Sequence, residues 1–167
     1  MKNLVLKAIE FASAKHAGQI RKGDKSPYVT HPLAVSYLVA AYKKSKHLDE
    51  ILAACWLHDT LEDTNTTFIE LAEVFTPLVA TLVYELTSDE DEIDRVGKKE
   101  YLKSKMVGIS SYALVIKLAD RLHNVSDSPT AKTIEDTADI LKYLKAWRKL
   151  SKTHKEIIKE IEKYLTK

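Results

Sequence analysis

The sequence predicts an all-α protein, and three observations support that fold class. Apolar residues recur at the three- and four-residue spacing of a helix along nearly the whole chain. Glycine and proline number only four each, so few positions favour turns. The sequence contains no sustained strand alternation and no Asn-Gly or Asp-Gly pair of the kind that forms hairpins. We therefore expect a helical bundle without a sheet.

Length, charge and cysteine content narrow the class of protein further. The chain has 167 residues, a length typical of one domain, so we expect a single domain over residues 1–167. The net charge of +2 gives no electrostatic reason to expect nucleic acid or an anionic membrane as a partner. One cysteine excludes an intrachain disulfide and favours a reducing cytoplasm. Charged residues interrupt the apolar N-terminal stretch, so we expect neither a signal peptide nor a membrane span.

The first two helices are predicted from their end residues. Asn3 can cap the first helix, and Gly18 is expected to end it because glycine readily adopts positive φ. Residues 18–30 form a polar, basic loop. Proline is favoured in the first helical turn, so His31-Pro32, preceded by Thr30, predicts the start of the second helix.

The third helix is strongly apolar and is predicted to be capped by Asp49. Thr67 with Glu70 forms a capping box for a short fourth helix. Thr76-Pro77 begins a fifth. Residues 88–97 are acidic and weakly patterned, which predicts a mobile loop.

Four further helices are expected in the rest of the chain. One covers residues 98–107 and ends at Gly108. Ser110 or Ser111 caps the next. Thr133 begins a long helix, and a lysine-rich amphipathic helix follows it.

Titratable residues crowd the end of the third helix. On a continuous helix, Glu62 lies one turn beyond His58 and Asp63 one turn beyond Asp59. Three carboxylates at the C-terminal end of a helix repel each other and the helix dipole unless a cation compensates them. An imidazole beside carboxylates suits a bound metal and its acid–base groups. A solvated, charged helix end is the common alternative for such a stretch.

Two other stretches carry metal-type ligands. His31 stands at a predicted helix N-terminus, behind the basic loop. The helix that begins near residue 111 has polar residues on one face, namely Lys117, Asp120, Asn124 and Asp127. For Asp120 alone, an ion pair with Lys117 or Arg121 is the simpler interpretation.

Together, these stretches resemble the HD-domain metal-dependent phosphohydrolases, whose pattern is a histidine, a His-Asp pair and a later aspartate. The matching residues are His31, His58-Asp59 and Asp120. The longer motifs resemble those of RelA/SpoT-type hydrolases of guanosine tetraphosphate (ppGpp). They are Arg21-Lys22-Gly23 with Pro27-Tyr28-Val29-Thr30-His31-Pro32, His58-Asp59-Thr60-Leu61-Glu62-Asp63-Thr64, and Lys117-Leu118-Ala119-Asp120-Arg121-Leu122-His123-Asn124. The similarity extends from about Phe11 to Leu150.

The resemblance implies a role for each matching residue. One divalent ion, Mn²⁺ in the family, would be bound by His31, His58, Asp59 and Asp120. Glu62 and Asp63 would handle the attacking water and the proton transfers. The nucleotide would be contacted by Arg21, Lys22, Asn124 and Tyr143. Family members contact phosphates near the positions of Lys98, Lys99 and Lys103, although a solvated helix face explains these lysines equally well.

The activity implied is hydrolysis of the 3′-pyrophosphate of ppGpp or pppGpp to GDP or GTP and pyrophosphate. Val125-Ser126-Asp127 departs from the family's usual arginine and threonine, and a carboxylate at 127 would repel a polyphosphate, so the substrate contacts stay open. No residues resemble the synthetase and regulatory domains of larger members, so we expect a stand-alone small alarmone hydrolase. The alternatives are an HD phosphohydrolase acting on another nucleotide, including the 2′-phosphate of NADPH, and a helical module that binds a nucleotide without catalysis.

Overall fold

The computed structural model describes residues 3–21, 25–127 and 129–166. Helices account for all the regular structure in these ranges, and the only β-type pairing is an isolated bridge between Ile20 and Pro27. The helices are α1 (Leu4–Lys15), α2 (Thr30–Tyr42), α3 (Leu48–Leu57), α4 (Thr60–Asp63), α5 (Phe68–Val74), α6 (Pro77–Leu86), α7 (Glu90–Val96), α8 (Lys98–Gly108), α9 (Ser111–Ser126), α10 (Ala131–Trp147) and α11 (Lys152–Leu165). The all-α fold class predicted from the sequence is confirmed.

The chain divides into two compact units, Met1–Thr87 and Ser88–Lys167. The prediction of one domain over residues 1–167 therefore stays a prediction, and each unit is described by itself. Among the described residues, no helix combines the length and the apolar character needed to cross a bilayer.

In the first unit, α3 is the central helix. It packs against α1, α2 and α6. Ile51 and Leu57, near its two ends, are fully buried. Burial of a side chain of this size contributes roughly 1.5–3 kcal/mol. The polar residues that follow Leu57 are therefore attached directly to a well-packed helix.

In the second unit, α10 packs against α8 and α11, and α11 also packs against α9. Met106, Leu144 and Ile157, one from each of α8, α10 and α11, are fully buried. The helix α9 has apolar residues at helical spacing along its length, and Leu114 and Leu118 are fully buried. The remaining face of α9 is left for polar residues.

Several predicted helix starts are confirmed by hydrogen bonds. The capping side chains that accept a backbone N–H from the first helical turn are those of Asn3, Thr67, Thr76 and Ser110. Each satisfies one of the donors that a helix N-terminus leaves without an intrahelical partner. Local sequence chemistry therefore fixes these boundaries.

The prediction of a mobile loop over residues 88–97 was wrong. This segment contains α7, whose N-terminus is capped by Asp89, with Oδ1 accepting from the Glu92 N–H at 3.0 Å. The acidic residues occupy its first turn, where the helix dipole favours negative charge. Gly97 ends the helix with φ +85°. The acidity that indicated a loop is in fact a signal for a helix N-terminus.

Three other starts and one end differ by a few residues. The N-cap of α3 is His47 rather than Asp49, which lies in the first turn. Thr30 lies inside α2. Thr130 rather than Thr133 caps α10, and its hydroxyl accepts from the Thr133 N–H at 3.1 Å. The first helix ends at Lys15, before Gly18 is reached.

Candidate metal centre

The backbone bends at the His-Asp pair. The expectation of one continuous helix through Asp63 was wrong, because α3 ends at Leu57 and α4 begins at Thr60. Asp59 has φ −101° and ψ 0°, in the bridge region where active-site residues are often found. The Asp63 N–H still donates to the Asp59 carbonyl at 2.9 Å. The four-residue spacing therefore survives as a turn, while the chain changes direction at Asp59.

Two threonines hold this bend. Thr60 is fully buried, and its hydroxyl donates to the Leu57 carbonyl at 2.7 Å. The Thr64 hydroxyl donates to the Thr60 carbonyl at 2.6 Å. Carbonyls at a helix end lack intrahelical donors, and these hydroxyls supply them. One buried and one partly buried hydrogen bond therefore fix the direction of the chain at the His-Asp pair.

His58 is only 2% exposed, and its hydrogen bonding defines its tautomer. Its Nδ1 lies 2.7 Å from the Cys55 carbonyl, which can only accept, so Nδ1 carries the proton. In a neutral imidazole, Nε2 then presents a lone pair. That atom lies 3.0 Å from Asp59 Oδ2. A lone pair and a carboxylate oxygen at this distance repel each other unless a proton or a metal ion compensates them.

His31 brings a second imidazole to the same carboxylate. It lies in the first turn of α2, is 4% exposed, and places Nε2 at 3.7 Å from Asp59 Oδ2. A ligand nitrogen of His31 lies within 4.8 Å of one of His58. Ligand atoms about 2.1 Å from one ion are roughly 3 to 4 Å apart. The donor set of His31, His58 and Asp59 therefore fits a divalent metal ion.

Tyr28 is a neighbour of this group that the sequence-based site prediction missed. Its hydroxyl donates to Asp59 Oδ2 and also lies 3.2 Å from Asp63 Oδ2. Burial, with the charges of Asp59 and Asp63, raises the pKa of the Tyr28 hydroxyl well above its usual range, so it stays a donor. Its position inside the motif that contains His31 was the available signal.

Glu62 and Asp63 are exposed on α4. Their backbone N–H groups donate to the Asp59 carbonyl at 3.2 and 2.9 Å, respectively. This turn keeps both residues close to Asp59 in space, and Asp63 Oδ2 lies 3.2 Å from the Tyr28 hydroxyl.

The basic loop places Arg21 at a partly buried position. Its backbone N–H donates to the Ser26 carbonyl at 2.9 Å, beside the bridge between Ile20 and Pro27. The predicted substrate residue Lys22 lies outside the described residues. Backbone pairing between residues 19–21 and 26–28 therefore fixes the described ends of this loop.

In the second unit, α9 carries the predicted polar stripe. Asp120 is 7% exposed; Asn124 Nδ2 donates to its Oδ1 at 2.6 Å, and Lys117 Nζ lies 3.3 Å from its Oδ2. The alternative ion pair with Lys117 is thus present. Asp127 lies just past the helix, at its C-cap. Asp120 is therefore a buried carboxylate that bonds to two side chains of its own helix.

The other predicted contact residues of this unit lie on α8 and α10. Tyr143 is 37% exposed, with its ring centroid 6.0 Å from that of Trp147. Lys99 pairs with Asp139 at 3.1 Å. Lys103 pairs with Glu100 at 2.8 Å, and Lys98 is exposed. These pairs agree with the solvated-face interpretation of the lysines.

Known proteins are similar to this chain in sequence and in fold. The HD domain family model matches residues 8–153. The guanosine-3′,5′-bis(diphosphate) 3′-pyrophosphohydrolase MESH1 of Xenopus tropicalis is 38% identical over 125 residues, which cover 74% of this chain and 69% of the relative. The MESH1 enzyme of Danio rerio is 34% identical over 125 residues, covering 74% and 68% of the two chains.

A longer relative and a solved structure extend the comparison. The GTP pyrophosphokinase rsh of Brucella ovis is 37% identical over 150 residues, which cover 82% of this chain but 19% of the relative. A solved structure, described as a metazoan orthologue of SpoT that hydrolyses ppGpp, has a TM-score of 0.79 and 25% identity. The match covers 98% of this chain and 96% of that one.

Proposed function

The chain belongs to the HD domain family, and on that premise we propose that it hydrolyses the 3′-pyrophosphate of ppGpp or pppGpp. The products are GDP or GTP and pyrophosphate. The observation that carries this proposal is the 38% identity to a ppGpp 3′-pyrophosphohydrolase over 69% of that enzyme's length. The His-Asp pair and the exposed carboxylates on α4 supply suitable chemistry for it.

The proposed ligands of one divalent ion are His31, His58, Asp59 and Asp120. Support comes from the distances around Asp59 Oδ2 in the first unit and from the burial of Asp120 in the second. Imidazole and carboxylate ligands with open positions suit Mn²⁺, which we propose as the ion. A divalent ion at such a site acts as a Lewis acid toward water and phosphoryl oxygens.

Glu62 and Asp63 are the proposed proton carriers. The oxygen of the attacking water forms a bond to phosphorus, and the bond from phosphorus to the ribose 3′-oxygen breaks. One carboxylate takes a proton from the water, and a carboxylic acid returns a proton to the 3′-oxygen. The exposure of both side chains, one turn from Asp59, supports this assignment.

The proposed substrate contacts are Arg21, Lys22, Asn124 and Tyr143. The planar guanidinium of Arg21 suits stacking on the base, and the compact charge of Lys22 suits phosphate. Asn124 also donates to Asp120, so any contact with the ribose uses its remaining hydrogen-bonding groups. We further propose a cytoplasmic setting with no nucleic-acid partner, supported by the single cysteine and the net charge of +2.

The test is incubation of the purified protein with Mn²⁺ and ppGpp, followed by measurement of pyrophosphate and of nucleotide by anion-exchange chromatography. We expect equal amounts of pyrophosphate and GDP, and no product after removal of metal with EDTA. Cleavage of another phosphate ester, such as the 2′-phosphate of NADPH, without cleavage of ppGpp would overturn the substrate assignment. Nucleotide binding without any cleavage would indicate a binding module instead.

A further inference from the structure

A single phenol hydroxyl lies between two carboxylates of the first unit. Tyr28 donates to Asp59 Oδ2 and lies 3.2 Å from Asp63 Oδ2. A phenol has one proton, so it can donate to only one of them at a time. The hydroxyl therefore links the Asp59 and Asp63 carboxylates through one shared donor. Asp59 Oδ2 is the same atom that faces His31 and His58.

Contacts with residues at the end of α1 hold the Tyr28 ring in place. It stacks on the His16 ring with centroids 4.7 Å apart and an interplanar angle of 28°. His16 is 2% exposed, and its Nδ1 lies 2.7 Å from Gln19 Oε1. The amide of Gln19 donates to the Asp63 carbonyl at 2.8 Å. A continuous series of contacts thus runs from the end of α1 to the bend that carries Asp59 and Asp63.

We propose that Tyr28 is a positioning residue that orients the Asp59 carboxylate toward the two imidazoles and fixes its spacing from Asp63. The inference rests on the proposed metal site, although it does not depend on which phosphate ester is the substrate. Groups that hydrogen-bond to metal ligands fix the orientation of those ligands, and their loss lowers metal affinity. Tyr28 therefore acts through Asp59 rather than on the reacting atoms.

The decisive variant is Tyr28→Phe, which keeps the ring and its stacking on His16 and removes only the hydroxyl. Electron paramagnetic resonance of free Mn²⁺ gives the dissociation constant without any substrate. We expect the dissociation constant to rise roughly 10- to 100-fold, and the signal of bound Mn²⁺ to broaden as the ligand geometry loosens. The matched control is Tyr37→Phe, since Tyr37 is 74% exposed on α2, and its metal affinity should equal that of the parent.

An unchanged dissociation constant with a lowered Tm would mean that Tyr28 is merely structural, and the inference would fail. Should the phenylalanine variant not fold, 4-aminophenylalanine and 4-methylphenylalanine at position 28 provide a pair of similar shape, one with a donor and one without. Tighter Mn²⁺ binding by the amino form supports the inference, and equal binding overturns it. A parent protein that binds no Mn²⁺ would instead reject the proposed metal site itself.

Discussion

The two units present their polar residues in different ways. In the first, the chain bends so that adjacent residues converge, with His58 Nε2 and Asp59 Oδ2 only 3.0 Å apart. In the second, a straight helix aligns residues three and four apart, with Asp120 between Lys117 and Asn124. Consecutive residues on a helix point about 100° apart and cannot face a common point. A pair of adjacent ligands therefore requires a break, whereas a spaced series does not.

The break after α3 leaves backbone carbonyls without intrahelical donors, which does not happen along the uninterrupted helix α9. Carbonyls at the end of α3 need new donors, and the buried hydroxyl of Thr60 provides one at 2.7 Å. The helix α9 keeps its backbone hydrogen bonding through Ser126, and on its polar face Asp120 bonds to Lys117 and Asn124 of the same helix. In the first unit a bend in the backbone brings adjacent residues together, whereas in the second the regular spacing of a helix aligns residues three and four apart.

The largest effect is expected from Glu62→Gln combined with Asp63→Asn, at the bend. The amides keep the shape of the exposed side chains but cannot carry protons, so turnover should fall about 10²- to 10⁴-fold. Mn²⁺ affinity should stay unchanged, because neither residue is among the proposed ligands. Pyrophosphate release and Mn²⁺ titration measure the two quantities.

The matched control for this variant is Glu73→Gln, which alters an exposed carboxylate on α5 of the same unit. Its turnover should equal that of the unchanged protein. If the double amide variant kept full turnover, Glu62 and Asp63 would have no part in proton transfer, and the bend would serve the metal ligands alone.

A smaller effect is expected from Asn124→Ala on the straight helix. The change removes the donor 2.6 Å from Asp120 Oδ1 and should weaken Mn²⁺ binding roughly 10- to 100-fold. Alanine has the higher helix propensity, so a drop in Tm is not the expected cause. Ser126→Ala, at an exposed position near the end of α9, is the control and should bind Mn²⁺ normally. Equal affinity in both variants would show that Asn124 does not position Asp120 as a metal ligand.

The smallest effect is expected from a charge pair that lies away from both the bend at Asp59 and the helix α9, such as Lys99 with Asp139. The Lys99 hydrogen bond lowers the pKa of Asp139, and the Asp139 hydrogen bond raises that of Lys99. The pair therefore stabilises the fold above the usual aspartate pKa of about 3.9 and below the usual lysine pKa of about 10.4. Asp139→Asn should lower Tm by on the order of 1–2 °C at pH 7 and low salt.

That difference in Tm should disappear as the pH falls through the lowered pKa of Asp139, because the carboxyl then protonates in the parent as well. Differential scanning calorimetry at several pH values measures it, with added salt as a second check. A difference that persisted in acid would show that the side chain stabilises the fold by packing rather than by charge.

Periodicity and capping chemistry predicted the helices and most of their starting residues. They did not predict the bend at Asp59 or the contact of Tyr28 with it. The polar stripe of α9 and the caps at Asn3 and Ser110 follow from local spacing, because a helix repeats regularly. The bend at Asp59 could not be read in this way, since residues 58–63 keep helical spacing while buried hydrogen bonds of Thr60 redirect the chain. Tyr28 was missed because a lone loop aromatic has no periodic signal. The ligand and substrate roles stay predictions.

The burial of Cys55 has a practical consequence. Its thiol is fully buried on α3, three residues before His58, and burial raises its pKa. A thiol reagent reacts with the thiolate and needs access to it, so the folded chain resists labelling. As the only cysteine in the sequence, it gives labelling kinetics a single origin. The rate of modification therefore reports how often the supporting helix beneath the His-Asp pair opens, without any probe having to be introduced.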